Sequence, residues 1–149
     1  MKHTREDFDL LCAKGEVAGP ANNADIAQAE AELGVEFPTE YRDIVLQYGA
    51  IVAPGVEVYG LIPKSVNNDP PLWQDVVSVT KELRGWGQTG TEKHELIPIS
   101  EDGTGVYFYL DTSEAPRTKI CAIGPGVDKV FDTDLFSFLS DLAEGGLMF

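Results

Sequence analysis

Several groups of residues in this sequence have the types that chemistry asks for, and each can be tested on its spacing. Gly85-Trp86-Gly87-Gln88-Thr89-Gly90 matches the dinucleotide pattern G-x-G-x-x-G letter for letter. That motif works when a strand precedes it and a helix opens after it, so that the pyrophosphate meets a helix N-terminus. Here a helical pattern precedes the glycines and a polar stretch follows, so they read as a loop. Glu101-Asp102-Gly103 offers carboxylates to a cation. A calcium loop needs further oxygen ligands at alternating positions, where this chain has Gly105, Val106 and Tyr107. The run reads as a turn. His3, His94, Cys12 and Cys121 are scattered, without the C-x-x-C or H-x-x-x-H spacing of a zinc site. None of Ser65, Ser78, Ser100 and Ser137 lies in a G-x-S-x-G elbow, and His94, the one plausible base, reads as a solvated side chain. No catalytic residue, metal site or cofactor is expected.

The carboxylates are too many to single out a pair. The 149 residues hold 25 Asp and Glu against 11 Lys and Arg, a formal net charge of −14. These acids are spread over the chain and form no tail. Such a surface repels nucleic acid and anionic membrane and favours a basic protein partner, although it also serves plain solubility. An aromatic beside acids can anchor a partner, and Trp86 is the better placed of the two tryptophans. The candidate partner-binding residues are Trp86, Glu101, Asp102 and Asp111. Turn and strand-end roles are equally open for Asp102 and Asp111.

The elements that must position these residues follow from periodicity. Thr4 with Glu6 and Asp7 predicts a helix start, with Phe8, Leu11 and Cys12 on its apolar face and Gly15 as its stop. Ile26, Ala29 and Leu33 before Gly34 predict a second helix, and Tyr41, Ile44, Val45 and Tyr48 before Gly49 a third. Ile51–Ala53 and Val56–Ile62 read as strands around Pro54-Gly55, and Lys64–Pro71 as an irregular loop. Leu72, Val76, Val79 and Leu83 predict a fourth helix up to Gly85, followed by a polar loop to Glu95. The strongest strand signal is the hairpin Leu96–Asp111. Its faces separate Val106, Phe108 and Leu110 from Tyr107 and Tyr109. Thr118–Ile123 and Val127–Phe131 form a second hairpin. Leu135, Phe138, Leu139 and Leu142 form a closing helix capped by Thr133 or Asp134.

Consecutive strands with short turns predict an α+β domain, a mostly antiparallel sheet packed by helices, spanning residues 1–149 as one unit. Two cysteines make no disulfide framework, the charged first ten residues lack a signal-peptide run, and no segment approaches a membrane span. These features predict a cytoplasmic protein.

The ordered residues Ile26…Glu30…Leu33-Gly34…Phe37-Pro38…Tyr41…Gly49 resemble the N-terminal signature of the SMI1/KNR4 (SUKH) superfamily. Pro98…Asp102-Gly103…Tyr107…Leu110-Asp111 is similar to its central hairpin, and Leu135-Phe136-Ser137-Phe138-Leu139 to its closing S-F-x-x-F-L helix. Phe37 stands where Leu is commoner, and Phe136 precedes Ser137. The resemblance implies a strongly curved sheet and no catalytic site. It also implies either of two binding roles: a bacterial immunity protein that neutralises a cognate polymorphic toxin, such as a nuclease, or an intracellular adaptor with host partners and no toxin. No oligomeric state follows from it.

Overall fold

A computed structural model describes residues 3–63 and 72–146; the loop expected at Lys64–Pro71 lies outside the described residues. Two consecutive capping boxes set the first helices. The Thr4 hydroxyl accepts from the Asp7 amide, and the Asp7 carboxylate accepts from the Thr4 amide, which opens α1 (Arg5–Ala13). Asn22 and Asp25 repeat the arrangement for α2 (Asn23–Leu33), and Gly34 closes it at φ 68°. Each box satisfies two amides that a bare helix end would leave without partners. α3 (Thr39–Tyr48) starts at Pro38, which has no side chain to cap with. Glu30 stabilises this turn from α2: its carboxylate accepts from the Phe37 amide at 2.7 Å and pairs with Arg42 at 2.8 Å.

Two antiparallel sheets follow. The first orders β1 (Glu16–Val17), β2 (Ile51–Ala53) and β3 (Val56–Val58); the second is a meander of β4 (Leu96–Glu101), β5 (Tyr107–Asp111), β6 (Ile120–Gly124) and β7 (Val127–Phe131). β1 has no counterpart in the sequence reading, since two residues carry no alternation to detect. The strand expected over Val56–Ile62 ends at Val58. Beyond it the backbone leaves the first sheet and is shared among several segments. The Tyr59 amide donates to the Ile99 carbonyl at 2.8 Å, Gly60 donates to Gln74, and Leu61 donates to Gly49. Ile99 is a bulge in β4, where the register passes from Pro98–Tyr109 to Ser100–Phe108. The Ser100 hydroxyl donates to the Glu57 carbonyl at 2.5 Å, completing a seam between the sheets.

α4 (Val76–Trp86) begins later than the Leu72 periodicity predicts, because the Asp75 side chain caps it on the Ser78 amide. It also runs through Gly85 and stops at Gly87, which takes the left-handed φ of 68°. Asp134 caps α5 (Leu135–Glu144), which packs Leu135, Phe138 and Leu139 into the core. The hairpin faces divide as expected. Val106, Phe108 and Leu110 enter the main core, where Phe108 meets Phe138 edge-on at 5.3 Å. Tyr109 joins Leu96, Cys121 and Ile123 on the opposite face, with Tyr107 packed alongside. Tyr109 donates to the Thr89 carbonyl at 3.1 Å, so the segment after α4 covers this face.

Candidate partner-binding face

Helical spacing places Ser78, Glu82 and Trp86 in one stripe along α4, and all three are exposed. Trp86 is 67% exposed, unusual for so large an apolar side chain. The basic residues of α4 are engaged elsewhere: Lys81 pairs with Glu32 at 3.0 Å, and Arg84 donates to the His94 carbonyl at 3.1 Å.

Beside this stripe, the seam gathers two tyrosines and two further carboxylates. The phenols of Tyr59 and Tyr107 both reach the Glu101 carboxylate. Burial pushes both phenols upward, the Glu101 charge adds to it, and Glu82 contributes at Tyr107. Glu82 and Glu101 thus lie within electrostatic reach of the Tyr107 ring. Glu57 completes the group from β3. Burial, then the Glu101 charge, raises its carboxyl above the usual range, against a hydrogen bond from Gln74. Desolvation and a like charge both disfavour the ionised form, and the named neighbours bring no cation. A depression of about 410 Å³ opens here, with Glu57, Trp73, Ser78 and Glu82 on its walls.

Of the residues expected from the sequence, Glu101 sits within this group, and Trp86 lies one helical turn from Glu82. Asp102 is spent on its own turn. Its Oδ1 accepts from the Thr104 amide and hydroxyl at 2.8 Å and from the Val106 amide at 3.3 Å. Asp111 stands at the other end of β5, where its Oδ1 caps the 3-10 turn Thr112–Glu114 and Lys119 lies 3.6 Å from Oδ2. Glu57, Glu82, Tyr59 and Tyr107 were missed. Only the i, i+4 relation of Glu82 to Trp86 was readable without knowing how the sheets meet.

Dinucleotide binding and thiol chemistry find little support in the geometry. Gly85 and Gly87 belong to the C-terminal end of α4, whose dipole repels phosphate. Gly90 packs on the Tyr109 ring. Burial pushes the Cys12 thiol up to about 12, far from an activated nucleophile. A larger depression of about 620 Å³ includes Glu40, Arg117 and Lys119. Several of its charges already have partners: Glu40 accepts from Thr118 and from the Leu135 amide, Arg117 pairs with Glu114, and Lys119 lies 3.6 Å from Asp111.

An α+β protein with two short antiparallel sheets meeting at a seam, and an acidic, aromatic patch above it, is the class these observations define. The chain belongs to the SMI1-KNR4 cell-wall family, whose model matches residues 23–139. That span includes Glu30, Tyr41, the seam and the first half of α5. Among solved structures, a crystal structure of a protein from Pseudomonas syringae pv. tomato has a similar fold, at TM-score 0.67 and 15% identity. The match covers 93% of this chain and 96% of that one. No curated protein matches the sequence. Among the described residues, no helix is long and apolar enough to cross a membrane.

Proposed function

We propose that this protein is a non-enzymatic binding protein of the immunity type, which neutralises a cognate toxin domain by receiving its basic surface on the Glu57–Glu82–Glu101–Trp86 face. The carrying observation is Glu57, half-buried at the seam within electrostatic reach of the Glu101 charge. A folded protein gains nothing from that repulsion by itself, whereas a cationic side chain delivered from outside relieves it. Exposed Trp86 supplies the apolar anchor such an interface needs at its centre. The net charge of −14 steers a basic partner inward and raises its association rate about 10- to 1,000-fold at low salt. A basic nuclease domain has the complementary surface.

Co-expression with the product of the adjacent gene tests this directly. The expected result is a complex that protects cells from that product and weakens as salt rises. Binding of host proteins, with no protection against a neighbouring toxin, would favour the adaptor reading. A complex indifferent to salt would remove the acidic face from the account.

A further inference from the structure

Away from the seam residues, His3 is packed against the last helix. The His3 amide donates to the Ser137 hydroxyl at 3.2 Å. Its Nε2 lies 3.2 Å from Asp141 Oδ1 and 3.1 Å from Glu144 Oε2, two carboxylates that α5 places one turn apart. On the other side of the ring, Asp7 Oδ2 lies 3.6 Å from Nδ1. One ring nitrogen carries at most one proton, so Nε2 cannot donate fully to both oxygens converging on it. Three carboxylates around one imidazole also leave an excess of negative charge whatever the ring's protonation.

A divalent ion resolves both problems. Donors roughly 2.0–2.1 Å from a tetrahedral zinc lie about 3.3–3.4 Å apart, close to the separations at Nε2. The Asp7 carboxylate beside Nδ1 favours the tautomer that leaves the Nε2 lone pair free, the arrangement that orients metal-bound histidines. A second observation is independent of these charges. Ser140, 4% exposed and one residue before Asp141, has a buried hydroxyl without a hydrogen-bond partner. Ser140 lines the same cavity of about 260 Å³ as His3, Asp7 and Glu144, with Lys14 as the cation on its wall and Asp141 outside its lining. This orphan hydroxyl beside the carboxylates leaves a hydrogen-bond demand that a water held by the ion would meet.

We propose that His3, Asp141 and Glu144 bind a zinc-class divalent ion, which fastens the segment just before α1 to α5. Imidazole among the ligands selects a transition ion over calcium or magnesium. Titration calorimetry of the full, tag-free chain with zinc chloride tests it, with calcium chloride as the contrast. One saturable equivalent of zinc is expected, preferred over calcium. His3→Gln and Glu144→Gln should each weaken it at least about tenfold, while His94→Gln should leave it unchanged. Glu144 is 65% exposed, so its variant keeps the fold even where a change at His3 does not. At zinc about a hundredfold above the wild-type Kd, wild-type Tm should rise by about 5–10 °C, and that rise should be cut to about half or less in both ligand variants. Absence of saturable zinc binding, a preference for calcium, or affinity undiminished in His3→Gln and Glu144→Gln would overturn the proposal.

Discussion

Tyr41 of α3 donates its phenolic hydrogen to the main-chain carbonyl of Tyr59, and both side chains are almost wholly enclosed. Tyr59 is thus held from three directions. Its amide goes to β4, its carbonyl to α3 and its phenol to Glu101. The helix layer and both sheets meet at this one residue.

Tyr41→Phe keeps the ring and removes only the donor, leaving the Tyr59 carbonyl buried without it. The expected cost is about 1–3 kcal/mol in urea unfolding, with little change in far-UV circular dichroism. A loss below about 0.5 kcal/mol would show that another donor takes over.

Close backbone approach around this residue gives a second, two-sided prediction. A Cβ at Gly60 would lie 1.8 Å from the Gly49 carbonyl oxygen, inside any permitted contact. Gly60→Ala should therefore cost at least about 2 kcal/mol or prevent folding. Gly85 lies inside α4 with nothing near its absent Cβ, so Gly85→Ala should raise stability by about 0.5–1 kcal/mol. Thermal melts of the two variants should move in opposite directions.

Glu57 gives the pH prediction. An acid held above its ordinary range binds more protons folded than unfolded, so its contribution turns unfavourable as pH rises through that window. The window opens near the ordinary value of 4.5 and ends above the raised one. Glu57→Gln should match wild type below the window and exceed it in stability at neutral pH. Urea unfolding at about pH 4 and about pH 7.5 measures the gap, which should widen with pH. A constant gap would mean that Glu57 is not strained by its surroundings.

At the binding face, Trp86→Ala should cost about 2 kcal/mol or more of partner affinity while changing stability by less than about 0.5 kcal/mol. Glu82→Gln should act mainly on the association rate, with an effect that fades as salt rises. Surface plasmon resonance at two ionic strengths separates the two variants. Equal effects on the dissociation rate would place Glu82 in the desolvated centre of the contact.

Much of this architecture could be read before any coordinates. The five helices declare themselves by 3.6-residue spacing, by caps such as Thr4 and Asp134, and by the stop at Gly34. The central hairpin's faces follow from the alternation of Val106 to Leu110. What could not be read depends on contacts far apart in sequence. β1 exists only because Glu16 and Val17 meet Val52 and Ile51. The end of β3 depends on the Ile99 bulge taking the Tyr59 amide. The same holds for the candidate sites. Trp86 and Glu101 were visible as residue types, but Glu57 joins them only across the seam. His3 stands nearly the whole chain from Asp141 and Glu144, beyond any spacing motif.

The joint between the sheets has a mechanical consequence. Glu57 and Glu101 stand on opposite lips of it, one on β3 and the other on β4. Anything gripping both carboxylates therefore acts as an external brace, resisting the hinge-like parting that would let the first sheet peel away. Its arrival would register inside the molecule as slower deuterium exchange at the amides of Tyr59 and Leu61, neither of which it touches.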